Sequence, residues 1–283
     1  MSKQKGNDMR PILMELDGLL ANGAPAVKTD RGDKADSEIV IAPDYSLDGL
    51  NVKGKMPLEK IVAAVKRFRD GTKRPAVDNP RLTILLSGVP GGGKTAFVRY
   101  LAREAGAPLK SYRASDLLSK WIGESEKHLA DAFRVAKKEN AILFLDEVDS
   151  FLQGRERSEH AWEVSGVNEL LQQMESFGGV MVAATNFTDH LDRAAMRRFT
   201  FKLELDYLTN DGKRVFFDRF FKTPLSAAEA ARLDAIDTLT PGDFRTVKEE
   251  LFYTCDEETN AARLDALEAE AAAKAGSRRK IGF

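Results

Sequence analysis

From residue 81 onward, short apolar runs alternate with stretches whose apolar positions recur at helical spacing. The runs are Thr83–Leu86, Leu109–Tyr112, Ala141–Leu145, Val180–Ala184 and the weaker Phe201–Leu205. Apolar runs this short, without polar alternation, predict strands buried on both faces. Between them, Thr95–Glu104, Glu124–Lys138 (Leu129, Phe133 and Ala136 on one face) and Trp162–Glu175 (Val167, Leu170, Leu171, Met174) predict helices. The alternation predicts an α/β fold, a five-stranded parallel sheet with helices on both faces. Ligands of such sheets sit at the carboxyl ends of the strands.

The pattern changes on either side of this block. Leu58–Phe68 has helical spacing (Leu58, Ile61, Val62, Val65, Phe68), and Gly71–Pro80 reads as a loop. Past about residue 207 no run predicts a strand; Lys213–Phe221, Ala227–Leu233, Gly242–Tyr253 and Asn260–Lys274 predict a small helical domain. Met9–Leu20 predicts one short amphipathic helix, with Ile12, Leu13, Leu16, Leu19 and Leu20 as its stripe. Ala21–Ser37, rich in Gly, Asp and Lys, predicts a flexible linker. The expected organisation is an extension over 1–54, an α/β domain over 55–206, a helical domain over 207–275 and a basic tail over 276–283.

Composition narrows the class. Of 283 residues 43% are apolar, enough for a core, so wholesale disorder is not expected. A net charge of −1 and a pI near 6.4 give no global pull toward nucleic acid or an anionic membrane. The single cysteine, Cys255, excludes an internal disulfide framework and suits a reduced compartment. No apolar run is long enough to cross a bilayer, and Met1–Arg10 lacks a signal peptide's apolar stretch. A soluble cytoplasmic protein is the expectation.

The chemistry begins where the first strand ends. Gly88-Val89-Pro90-Gly91-Gly92-Gly93-Lys94-Thr95 matches G-x-x-x-x-G-K-[ST] between an apolar strand and a helix. Glycines let the backbone fold into a nest of N–H groups aimed at phosphate oxygens, and the helix presents its positive end to the same charge. The expected nucleotide-binding stretch is Pro90, Gly91, Gly92, Gly93, Lys94, Thr95 and Ala96. Lys94 is expected on the β- and γ-phosphates and the Thr95 hydroxyl on magnesium. ATP and Mg2+ are therefore the expected ligands.

A second element follows the third strand. Ile142-Leu143-Phe144-Leu145 ends in Asp146 and Glu147. Asp146 suits the magnesium shell, and Glu147 suits a base or orienting group for the water that attacks the γ-phosphate. Either carboxylate alone could equally cap a helix; the phosphate loop upstream favours the catalytic reading. Asp149 stays ambiguous between a helix cap and the site.

These motifs, in this order, resemble the AAA ATPases, the spastin/katanin-like subgroup of AAA+ proteins, and most of all its bacterial single-module members. The resemblance covers roughly residues 45–255. Gly88–Thr95 resembles the Walker A motif and Ile142–Glu147 the Walker B motif. Ala183-Ala184-Thr185-Asn186 is similar to the sensor strand, which implies that Asn186 contacts the γ-phosphate or the attacking water. Leu191–Phe199 resembles the second region of homology, which implies that Arg197 and Arg198 act in a neighbouring subunit's site. Lys120-Trp121-Ile122-Gly123 resembles the central pore loop, which implies that Trp121 and Ile122 grip an extended polypeptide; core packing is their rival explanation. A second pore-facing loop is expected near Gly154–Glu163. Thr240-Pro241-Gly242-Asp243-Phe244 stands where the second sensor lies. It lacks the arginine of other AAA+ groups but allows Gly242 to approach the nucleotide. The phosphate loop departs from common relatives at Val89 and Gly92, which a backbone-built cradle tolerates.

The family implies a ring homo-oligomer, with six subunits as the common count, acting on a protein substrate or adaptor. Two other readings stay open. One is a nucleotide-switched, DNA-associated loader or regulator, using Lys66, Arg67, Arg69, Lys73 and Arg74 or Arg278–Lys280 as a basic strip. The other is a scaffold that binds ATP without hydrolysing it.

Overall fold

A computed structural model describes residues 29–30, 45–71, 80–117, 124–149, 161–187, 193–254 and 259–279. Seven strands make one sheet: β1 (Thr29–Asp30), β2 (Val52–Gly54), β3 (Leu82–Gly88), β4 (Leu109–Arg113), β5 (Ile142–Asp146), β6 (Val180–Ala184) and β7 (Phe201–Leu205), in the order β1-β4-β5-β6-β3-β7-β2. The five predicted strands stand together in the middle and pair in parallel. Two short edge strands that no periodicity announced extend the sheet. β1 joins β4 in parallel from within the segment read as a linker. β2 pairs antiparallel with β7.

Alternation along the central strands builds two apolar layers. Ile84, Leu86, Ile142, Phe144, Val180 and Val182 face one core, with Leu58, Ile61 and Val65 of α1 (Leu58–Arg69) and Phe97, Val98 and Leu101 of α2 (Lys94–Glu104). Leu85, Leu143, Leu145, Met181 and Ala183 face the other. That side is covered from α3 (Ala114–Leu117), α4 (Glu124–Lys138), α5 (Ala161–Ser176) and α6 (Arg193–Arg198). Burial on both faces is why these strands read as unbroken apolar runs.

Four helices complete the described chain: α7 (Asn210–Phe221), α8 (Ala227–Asp234), α9 (Pro241–Thr254) and α10 (Asn260–Arg279). They form a separate core around Phe216, Phe217, Leu239, Phe244, Val247, Leu264 and Leu267. Their starts are sequence-encoded. Thr209 caps α7 by accepting the Gly212 N–H, and Ser226 with Glu229 forms a reciprocal capping box on α8. α10 continues past the predicted end at Lys274 as far as Arg279.

Tyr45, Leu47, Leu50 and Val52, grouped with the extension in the sequence reading, pack against the first sheet core, and Leu50 also packs against the helical core. Among the described residues no helix is long and apolar enough to cross a membrane. The predicted helix Met9–Leu20, the pore-loop residues Trp121 and Ile122, residues 154–160 of the expected second loop, and Cys255 lie outside the described residues.

Candidate active site

The carboxyl ends of β3, β5 and β6 meet at one point, because β6 lies between the other two. The phosphate-loop match leaves β3 there. Gly88, Gly91 and Gly93 have φ of 123°, 74° and 96°, a region costly to any residue with a side chain. Space adds to the constraint at Gly88, where a Cβ would lie 1.9 Å from the Leu205 carbonyl oxygen. The loop is pinned by the Val89 N–H to the Leu205 carbonyl and the Gly92 N–H to the Val89 carbonyl, both at 3.1 Å. α2 then starts at Lys94 with Gly93 as its cap residue and no side chain bonding its first N–H groups. Such an end is receptive to an anion. Pro90 and Gly91 are exposed, Gly92 is buried, and Thr95 and Ala96 are half-buried on the first turn.

Lys94 is the centre of the arrangement. It is 8% exposed, and its Nζ donates to the Gly88 carbonyl at 2.8 Å, the Val89 carbonyl at 3.0 Å and Asn186 Oδ1 at 2.8 Å. Burial pushes the ammonium below its ordinary pKa, while Asp146 and Asp149 pull it back up. Strand β6 thus delivers Asn186 directly to the lysine of the β3 loop.

Strand β5 delivers the acids. The Thr95 hydroxyl donates to Asp146 Oδ2 at 3.3 Å. Two hard oxygen donors from adjacent elements suit magnesium, which takes few protein ligands and completes its shell with phosphate and water. Glu147 is exposed in a left-handed conformation, φ 56°, and its N–H donates to Asp146 Oδ1 at 3.0 Å. That turn separates the two carboxylates, one toward Thr95 and one toward solvent.

From the helical domain, the Gly242 N–H donates to the Gly91 carbonyl at 3.0 Å, and a Cβ on Gly242 would lie 3.0 Å from Gly91 Cα. Buried Asp243 holds this corner. Its Oδ2 accepts the Thr240 N–H at 2.7 Å, the Thr240 hydroxyl at 2.9 Å, and the Lys274 ammonium of α10.

Lys94, Thr95, Asp146, Glu147, Asn186 and Gly242 are therefore brought to one cleft, and Arg197 and Arg198 stand apart on α6. The two arginines are not equivalent. Arg197 is exposed. Arg198 is half-buried, donating from Nε to Glu175 Oε1 and from Nη1 to the Ala194 carbonyl, each at 2.9 Å. Sequence reasoning missed Leu50 and Pro241, which flank Gly93: a Cβ there would sit 3.6 Å and 3.9 Å from their side chains. It also left Asp149 undecided. The Asp149 carboxylate accepts the Thr185 hydroxyl and the Asn186 N–H, contacts that only the β5–β6 pairing reveals.

Comparison with known proteins agrees with this geometry. The model of the ATPase family associated with various cellular activities (AAA) matches residues 84–207. Spastin of Drosophila melanogaster and that of Drosophila erecta are each 33% identical over 171 residues, covering 58% of this chain and 23% of spastin. Spastin of Drosophila willistoni is 32% identical over 171 residues, with 58% of this chain and 22% of spastin covered. The match thus spans under a quarter of these relatives' length. AAA family proteins generally oligomerise, and an AAA domain implies ATP binding and ATPase activity. Over residues 84–207 this chain is similar to the AAA ATPase family, and it is distantly similar to the AAA module of spastin.

Proposed function

We propose that the chain is a magnesium-dependent ATPase that works as a ring homo-oligomer, six-membered by family resemblance, and uses ATP to remodel or disassemble a protein substrate. The observation that carries the reading is the convergence of Lys94, Asn186, Thr95 and Asp146 where β3, β5 and β6 end. The main-chain N–H groups of Gly91–Ala96 and the Lys94 ammonium bind the β- and γ-phosphates. Gly242, beside Gly91, borders the nucleotide. Thr95 and Asp146 would hold the magnesium ion, which neutralises charge developing on the phosphates. Asn186 orients the attacking water, and the exposed Glu147 accepts its proton as the bond from the γ-phosphorus to the leaving oxygen of ADP breaks.

Arg197, exposed on α6, is the better candidate to reach a neighbour's γ-phosphate. Arg198 is held by Glu175 of its own subunit and steadies α6. Trp121 and Ile122 grip the polypeptide. The DNA-switch alternative gains little from the proposed basic strip: Lys66 pairs with Glu104 at 2.8 Å, and Arg69 donates to the Asn140 carbonyl at 2.6 Å.

The test is ATPase rate per subunit against protein concentration. The rate should climb as the chain assembles, and Arg197→Ala should cut it by about 10³-fold or more. Glu147→Gln should retain ATP with turnover down by about 10²- to 10⁴-fold, and the stalled complex should carry the protein substrate with it. A rate independent of concentration, or unaffected by Arg197→Ala, defeats the shared site. Substrate remodelling that survives Trp121→Ala defeats the threading step.

A further inference from the structure

Beyond their last paired residues, Leu145 and Ala183, β5 and β6 remain tied together. The Val148 N–H donates to the Ala184 carbonyl at 3.0 Å. One residue on, the Asp149 carboxylate accepts the Thr185 hydroxyl and the Asn186 N–H. Thr185 is 1% exposed, and its hydroxyl also accepts the Phe187 N–H at 3.0 Å. Asn186 completes the chain of contacts by taking the Lys94 ammonium on Oδ1 at 2.8 Å.

We infer that Asp149 is a positioning residue for hydrolysis: by binding Thr185 and the Asn186 backbone together, it keeps the Asn186 amide in register with Lys94. The inference rests on the ATPase reading and deepens it. Asn186 is exposed and lies beyond the end of β6, so the strand ladder does not fix it. Its orientation comes from the bond to its own N–H, which Asp149 accepts, and from Thr185, whose hydroxyl Asp149 holds and whose N–H donates to the Leu86 carbonyl at 2.9 Å. The bland alternative is a cap for the segment that follows Asp149. Among the described residues its bonds run back across the sheet to β6. Burial also pushes the Asp149 carboxyl above its ordinary pKa, opposed chiefly by the Asn186 N–H, so this acid is held at some cost in solvation.

Ground-state binding depends on the loop amides and Lys94, whereas Asn186 matters when water attacks. Loss of Asp149 should therefore lower kcat and spare affinity. Asp149→Ala should reduce kcat by about ten- to a hundredfold, as a small misplacement of an orienting group does. KM and the Kd of a non-hydrolysable ATP analogue should stay within about twofold, too small a change to count as lost binding. Asp149→Asn, which keeps an acceptor oxygen, should recover part of the loss. Thr185→Val, which removes one of the two bonds, should fall between. In an Asn186→Ala background, Asp149→Ala should cost nothing more, because both act through one amide. A full second loss in that background, or a parallel loss of analogue affinity, overturns the assignment. Amide hydrogen exchange at Asn186 gives an answer without turnover: faster exchange in Asp149→Ala supports the assignment, and unchanged exchange overturns it. If the unmodified chain binds no analogue and hydrolyses no ATP, the ATPase reading fails by itself, and the exchange measurement still decides the role of Asp149.

Discussion

The sheet domain and the helical domain hold their parts of the cleft by different means. In the sheet domain, Asp146, Glu147 and Asn186 sit at or within two residues of the end of a strand paired on both sides, over layers of aliphatic side chains at or near zero exposure. The strand residues themselves are set by ladder register and tolerate little drift, and Asn186, just past its strand, is held by Asp149. The helical domain is organised around rings. Phe244 lies 6.0 Å from Phe216, 6.3 Å from Phe220 and 6.4 Å from Phe221, centroid to centroid. Around that cluster, Arg214 reaches Asp234, and Arg232 reaches Asp265 and Glu268. Exposed pairs of this kind contribute little individually. The helical domain reaches the phosphate loop through the Gly242–Gly91 bond and the packing around Leu50 and Pro241. The two bodies meet along that seam.

The sharpest way to break that contrast is to empty the ring cluster. Phe244→Ala should cost about 3–5 kcal/mol, and the loss should fall on the helical core alone. Calorimetry should then separate an early transition from a later one belonging to the sheet. A single transition displaced as a whole would mean that the two bodies unfold together. A smaller perturbation targets the seam. Gly242→Ala brings a methyl to 3.0 Å from Gly91 Cα. It should weaken binding of an ATP analogue about tenfold, about 1.4 kcal/mol, with the melting temperature little changed. Equal affinity would detach the helical domain from the nucleotide. The smallest effect is at the capping box. Ser226→Ala should lower the stability of the helical domain by about 1 kcal/mol. Its partner Glu229 has a pKa held below the ordinary 4.5, first by the Ser226 N–H. Stabilisation by that carboxylate is complete above pH 4.5 and is lost as pH falls below it through the folded value. Melting curves of Glu229→Gln and the unmodified chain should therefore converge in acid.

Much of the sheet was legible because burial on both faces leaves a signature in composition: Ile142–Leu145 and Val180–Ala184 can hardly be anything else. Walker-type residues were legible because their spacing is dictated by phosphate geometry. Edge strands were not. Val52–Gly54 has only three residues, and Thr29–Asp30 is polar, so both owe their conformation to a neighbour. Asp149 and Thr185 were illegible for a related reason. They lie 36 residues apart and acquire meaning only when β5 and β6 become adjacent. The two arginines looked alike in the sequence because a pairing with Glu175, 23 residues upstream of Arg198, leaves no local pattern.

The stretch from Ser46 to Leu50 carries one more consequence. Arg219 of α7 donates to the Ser46 hydroxyl and to the Asp48 carbonyl, each at 3.0 Å, while β2, a few residues on, is laced to β7 of the sheet. Tyr45, next to this stretch, and Leu47 within it pack on the sheet core, so the polypeptide is tied to both bodies at once, like a strap over a joint. Cutting the tie to the helices with Arg219→Ala would leave this stretch anchored to the sheet by Tyr45 and Leu47, so the joint would loosen while the strap stayed fastened at one end.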